Sequence, residues 1–254
     1  MKLYHKAYIG QGQPLIIIHG LLGTADNWHH IAQRFGEHFK VYVPDMRNHG
    51  RSGHADEISY QSMVADLLEL MADLDIEKAN IIGHSMGGKV AMQLAQSHSK
   101  KIEKLVVVDI KPQSYPRGHD HIFKALFAIP IAEIVTRKEA EEILLQNGIN
   151  DFGERQFLLK NLSRGDNGKF KWKPNLQGIW DNYEHIRSGV SGKPFMGDTL
   201  FVKGENSKYI TGEMDLEQLF PNATLTSIPN AGHWVHAGQP ELFFETVSAF
   251  LSHP

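Results

Sequence analysis

Short runs of apolar residues punctuate the chain at Leu15–Ile18, Val41–Val43, Asn80–Ile82, Leu105–Val108, Leu200–Val202 and Thr224–Ile228. Each is rich in Val and Ile and is bounded by Gly, Pro, Asp or Asn, the pattern of strands buried on both faces of a parallel sheet. Between them the period changes. From Tyr60 to Leu74, Met63, Val64, Leu67, Leu68, Leu70, Met71 and Leu74 form one stripe with Asp66, Glu69 and Asp73 interleaved, which predicts an amphipathic helix. Val90 and Leu94 begin a similar pattern after Gly88, and another helix is expected from about Pro240. Strands alternating with helices imply an α/β fold, with a mostly parallel sheet covered by helices on both faces.

One interval departs from this rhythm. Roughly 80 residues separate the strand ending near Asp109 from the one starting near Thr199, where an ordinary connection has about 4 to 6. Such an insertion must carry its own structure. Apolar clusters at Ile122–Phe127, Ile143–Leu145 and Phe157–Leu159 predict three or four short helices, and Gly165–Gly168 reads as a surface turn. The expectation is one domain over 1–254, with a cap inserted at about 112–194, before the penultimate strand, and lying over the end of the sheet.

Composition narrows the chemistry. The 254 residues carry 26 basic and 29 acidic side chains, a formal charge of −3 without long blocks of one sign, so neither nucleic acid nor an anionic membrane surface is an expected partner. There is no cysteine, which excludes disulfides, thiolate metal ligands and a cysteine nucleophile. No apolar run is long enough for a membrane span, and Met1–Gly12 lacks the apolar stretch of a signal peptide, so a cytoplasmic location is expected. The 15 histidines include His29-His30 and Asp120-His121, but no paired spacing of the H-E-x-x-H kind, and no metal is expected.

Gly83-His84-Ser85-Met86-Gly87 follows one predicted strand directly and precedes a predicted helix. A serine held on a sharp strand-to-helix turn needs residues without bulk two positions before and after it, and Gly83 and Gly87 meet that need. Ser85 is thereby the candidate nucleophile. Its hydroxyl requires a base to take the proton, and His233, in Asn230-Ala231-Gly232-His233-Trp234, lies after the last predicted strand, in a loop expected at the carboxyl end of the sheet. His84 and His236 compete less well, because neither follows a Gly in such a loop. His19-Gly20-Leu21-Leu22-Gly23 ends the first central strand. Glycines there let backbone N–H groups approach a developing oxyanion, which makes Leu21 and Met86 the candidate donors, with His19 structural beneath the loop.

These segments, together with Asp45-Met46-Arg47-Asn48-His49-Gly50-Arg51-Ser52 and Gly232-His233-Trp234-Val235-His236, resemble the α/β-hydrolases. The Asn48 variant of the usual D-x-R-G-H-G-x-S loop and the Gly-His-Trp-Val-His ending are most similar to the YbfF-type small bacterial esterases and their mitochondrial abhydrolase relatives. The resemblance covers nearly the whole chain and is weakest from Ala128 to Asn150. It implies hydrolysis of carboxylic esters, with acyl-CoA thioesters among the substrates of close relatives, no cofactor, and a mainly structural Asp45–Ser52 loop.

The third member of a Ser-His-acid triad is left open by the residues. In many α/β-hydrolases the acid is the Asp of a G-x-x-D turn after the penultimate strand, but here that turn reads Gly204-Glu205-Asn206-Ser207. Asp109 ends the preceding strand. With neighbouring strands about 4.8 Å apart its carboxylate could reach the same imidazole, and the branch the chain resembles uses this position. Glu205 is the substitute. In the cap, Trp180, Phe123 and Tyr183 are candidate walls of an acyl pocket, although such aromatics more often pack a cap onto its sheet. The expected activity is an esterase, or an acyl-CoA thioesterase, working through an acyl-enzyme. The alternatives are a C–C bond hydrolase or lyase using the same serine, and a ligand receptor with slow residual hydrolysis.

Overall fold

The structure is a computed structural model that describes residues 1–165, 168–211 and 216–252. Seven strands build one sheet: β1 (His5–Ile9), β2 (Pro14–Ile18), β3 (Lys40–Pro44), β4 (Ala79–His84), β5 (Ile102–Val108), then β8 (Thr199–Gly204) and β9 (Ala223–Ile228), with β6 (Leu162–Arg164) and β7 (Phe170–Trp172) forming a separate antiparallel pair. The order across the sheet is β1-β3-β2-β4-β5-β8-β9, parallel throughout except for β1, which runs antiparallel to β3. The apolar runs are continuous because both faces are covered. Ile16, Ile18, Leu105 and Val107 point into one core, and Leu15, Ile17, Val106 and Val108 into the other. The edge strand β1 has no such run, its residues being half-buried or exposed, and the pattern did not announce it.

Helices α1 (His29–Phe35) and α10 (Pro240–Ser252) pack on one face, where Phe35, Phe243 and Val247 join the second core. On the other face lie α2 (Tyr60–Asp73) and α3 (Met86–Ser97), with Leu67, Val90 and Leu94 in the first core. Ser59 caps α2 by accepting the Ser62 N–H at 3.1 Å. A one-turn helix α9 (Val235–Gly238) precedes α10. No helix among the described residues is long and apolar enough to cross a membrane.

Between β5 and β8 the chain forms α4 (Asp120–Phe127), α5 (Arg137–Gln146), α6 (Phe152–Leu159), the β6–β7 hairpin, α7 (Leu176–Asp181) and α8 (Tyr183–Arg187). Among the described residues there are thus five helices rather than three or four, and a hairpin that the apolar pattern did not predict. Of the turn expected at Gly165–Gly168, residues 166 and 167 lie outside the described residues, and the Gly165 N–H bonds Lys169 O at 2.8 Å. The insertion leaves and rejoins the body at one place. Val190 N–H donates to Pro112 O at 2.9 Å, and Tyr115 N–H to Arg187 O at 2.9 Å. The buried Lys89 of α3 completes the junction, its ammonium donating to Pro112 O (3.0 Å), Gln113 O (2.5 Å) and Ser188 O (2.7 Å). Three donors meet three carbonyls, so the amine is fully hydrogen-bonded, although burial pushes its pKa down to about 7.

Candidate active site

Strands β2, β4, β5 and β8 end at the same edge of the sheet, and the chemistry gathers there. Ser85 follows β4 directly, with φ 52° and ψ −118°, a conformation that costs a residue with a Cβ about 1–3 kcal/mol. Crowding enforces it. A Cβ on Gly83 would stand 2.3 Å from Gly87 O, and one on Gly87 would stand 2.3 Å from Ile18 O. The tight packing of α3 against the ends of β2 and β4 therefore holds the serine on its turn. Gly20 passes close beside it, since a Cβ there would lie 3.2 Å from the Ser85 Cβ.

His233 lies in the loop after β9 and donates its Nδ1–H to Asp109 Oδ2 at 2.7 Å. Asp109 directly follows β5, is fully buried and has a positive φ of 51°. Its other partners are the Gly204 N–H, which reaches Oδ1 at 3.1 Å, and the Ser207 hydroxyl, which donates to Oδ2. A carboxylate only accepts, so the His233 Nδ1 carries the proton and Nε2 is left as the basic nitrogen. Glu205 is exposed and accepts the Asn230 N–H at 2.9 Å instead. Ser207, at the place where an acid was sought, supports Asp109.

Two side chains hold the imidazole further. The Tyr209 ring stacks on that of His233 with centroids 3.7 Å apart and planes 13° from parallel. From below, the buried His84 donates Nε2–H to His233 O at 2.9 Å. Neither role was visible in the sequence beyond the position of His84 next to the serine.

Ser85 stands where two cavities meet. One, of about 230 Å³, is lined by His233, Trp234, Leu22, His121 and Phe157; the other, of about 390 Å³, by Met86, Ile110, Tyr60, Tyr183 and Ile186. Leu21, Gly118, His119 and Tyr209 line both. Of the cap aromatics singled out from the sequence, Tyr183 faces a cavity. Phe123 does not: it is fully buried against Trp180 and Tyr183, with ring centroids at 5.1 and 5.8 Å. Trp180 stacks on Tyr183 at 6.1 Å, beneath the Arg117 guanidinium, and lines neither cavity. Among the described residues no group of three or more His, Asp or Glu side chains is placed to hold a metal.

A family described as the alpha/beta hydrolase fold matches residues 13–240. The chain belongs to the α/β-hydrolase family. Esterase YbfF of Escherichia coli is 37% identical over 259 residues, covering 99% of this chain and all of that one. The sn-1-specific diacylglycerol lipase ABHD11 of Danio rerio is 38% identical over 266 residues, covering 99% of this chain and 83% of the relative. Among solved structures, a marine microorganism esterase superposes with a TM-score of 0.96 at 44% identity, over 98% of this chain and 99% of the other. The chain is therefore an α/β-hydrolase of the esterase and lipase type.

Around the site of this α/β-hydrolase lies a set of buried histidines that burial keeps neutral: His19 is pushed down to about 4, His49 and His236 to about 3, and His84 also well below its usual value. Their folded pKa lies below the ordinary 6.5, so on acidification the unfolded chain takes up the proton first. Their stabilising contribution is full above about pH 6.5 and is lost as pH falls, down to about 4 for His19 and about 3 for His49 and His236, at up to about 1.4 kcal/mol per pH unit for each histidine. Thermal melts should show Tm falling steadily between pH 6.5 and 5. A Tm unchanged across that window would contradict neutral burial.

Proposed function

We propose that this α/β-hydrolase cleaves carboxylic esters, and acyl thioesters of the same chain, through an acyl-enzyme on Ser85. The observation that carries the reading is the Asp109–His233 pair beside a serine strained at the end of β4. With Nδ1–H committed to Asp109, His233 Nε2 takes the Ser85 proton as Oγ attacks the carbonyl. The Leu21 and Met86 N–H groups receive the oxyanion, Met86 from the first turn of α3, where backbone donors are free of intrahelical partners. Collapse of the tetrahedral intermediate breaks the bond to the leaving group, which takes its proton from His233 Nε2. Water then repeats the sequence, with His233 as base, and frees the acid.

The direction of proton transfer assigns the two cavities. The leaving group must face His233, so it occupies the smaller cavity, while the acyl chain extends past Met86 into the larger one, between Ile110, Tyr60 and Ile186. Each methylene buried there adds about 0.8 kcal/mol, about fourfold in kcat/KM, until the cavity is full. A hydrolysis panel of aryl esters and CoA thioesters across acyl lengths, on the parent and on Ile186→Trp, tests this. The parent should turn over repeatedly with kcat/KM rising along the series. Ile186→Trp should lower long-chain activity tenfold or more with the acetyl ester within about threefold. A uniform loss would remove the acyl chain from that cavity, and a single turnover on every substrate would favour a receptor.

A further inference from the structure

The loop that supplies Leu21 has no glycine where its backbone most needs one. Gly20-Leu21-Leu22-Gly23 closes as a β-turn through Gly23 N–H to Gly20 O at 2.9 Å, and its third residue, Leu22, has φ 58°. A leucine in that region costs about 1–2 kcal/mol, so other contacts must hold the turn. His19 supplies one from within the loop, donating Nδ1–H to Gly20 O at 2.8 Å while its Nε2 accepts the Met46 N–H at 2.9 Å.

The second comes from the cap. Asn161, at the start of the β6–β7 hairpin and 139 residues away in sequence, donates its side-chain N–H to Leu22 O at 2.9 Å. The residue is 2% exposed, and its Oδ1 is buried without a hydrogen-bond partner among the described residues. Burying an amide with one end unpaired costs about 1–3 kcal/mol, which an apolar side chain of the same size would avoid. The cap also fixes the backbone that presents the amide. Asn161 N–H bonds Leu158 O at 3.1 Å, Lys173 N–H bonds Asn161 O at 2.9 Å, and Arg137 donates to Leu159 O and Leu162 O at 2.5 and 2.8 Å.

We infer that Asn161 is a positioning residue for the oxyanion hole, a cap side chain that clamps Leu22 O and so holds the Leu21 N–H on the oxyanion. This rests on the acyl-enzyme reading above. The cap then serves bond breaking as well as substrate selection, because the loop takes its working shape only with the hairpin seated on it.

The test is Asn161→Leu, which keeps most of the volume and removes the donor, with Asn161→Ala as the second variant. Two quantities are measured: kcat and KM on an acetyl aryl ester, whose aryl group meets the cap at His121 and Phe157 so that KM reports how the cap is seated, and the inhibition constant of a small alkyl boronic acid, whose tetrahedral adduct on Ser85 places an oxygen in the hole. If Asn161 positions the turn, kcat falls about tenfold to a hundredfold, less than the 10²–10³ typical of losing a whole donor, with KM within about twofold. Boronic acid affinity should weaken by a similar factor. A residue that only ties the cap down would raise KM and leave boronic acid binding unchanged, and that result would overturn the inference. Should Asn161→Leu not fold, the same ratio in Asn161→Ala decides. A parent that neither binds the boronic acid nor loses activity in Ser85→Ala would instead defeat the serine mechanism, a separate outcome from unaffected Asn161 variants in a responsive parent.

Discussion

Ser85→Ala is expected to lower kcat for ester hydrolysis on the order of 10⁶-fold, the scale on which removing a serine nucleophile acts, with Tm close to that of the parent. The alanine keeps the Cβ, so the strain at φ 52° is the same in both proteins and the elbow should not relax. Ser85→Gly provides the internal control. It removes the nucleophile equally but relieves the strained backbone, so it should be inactive yet more stable than Ser85→Ala, by about 1 kcal/mol or more. A fluorophosphonate probe should label the parent at Ser85 and neither variant. Activity persisting in the alanine variant, or labelling at another serine, would end the acyl-enzyme reading.

Asp109→Asn should cost about 10⁴ in kcat with little change in KM, as it did for the corresponding acid of a well-studied serine protease. The loss has a specific cause here. An asparagine can keep its oxygen on the Gly204 N–H, but it then turns an NH₂ towards two donors, His233 Nδ1–H and the Ser207 hydroxyl. His233 escapes by moving its proton to Nε2, which leaves no base facing Ser85. Folding should survive, because Asn tolerates the positive φ at this position. Glu205→Gln should stay within about tenfold of the parent, since a glutamine oxygen can still accept the Asn230 N–H. Kinetics of both variants on one short ester check the assignment, and the opposite ranking would move the acid to Glu205.

The elbow could be read from the sequence because its requirements are local: a strand, two small residues and a helix within a few positions. The central strands were legible for a similar reason, since burial on both faces leaves an unbroken apolar run. The acid was not decidable in this way. Asp109 and His233 are 124 residues apart, and what distinguishes Asp109 from Glu205 is which carboxylate the ends of β5 and β8 turn towards the imidazole. Ser207 stands where the sequence pattern has an acid, and its hydroxyl donates to Asp109. In the cap, helical spacing marks Phe123 as inward-facing, but the same spacing serves a core and a cavity wall alike, and it packs in the core. The β6–β7 hairpin has strands of three residues each, too short for an alternation to register. Asn161 gave no signal, because its value lies in a carbonyl brought near by the fold.

The junction at Lys89 bears on how such a protein changes its substrate over evolutionary time. Both ends of the insertion are gathered at one ammonium and bridged by Val190 N–H on Pro112 O, so the intervening chain can lengthen, shorten or be replaced without moving the strands that carry Ser85 and Asp109. The fold thus has a fixed splice point. A cap transplanted from another family member at positions 112 and 190 would arrive in the right place, but it would find Leu22 in its strained turn. Without an amide to meet that carbonyl, a grafted cap would bring a new pocket to an impaired catalyst, so recombination between such enzymes should succeed more often when the donor cap brings its own equivalent of Asn161.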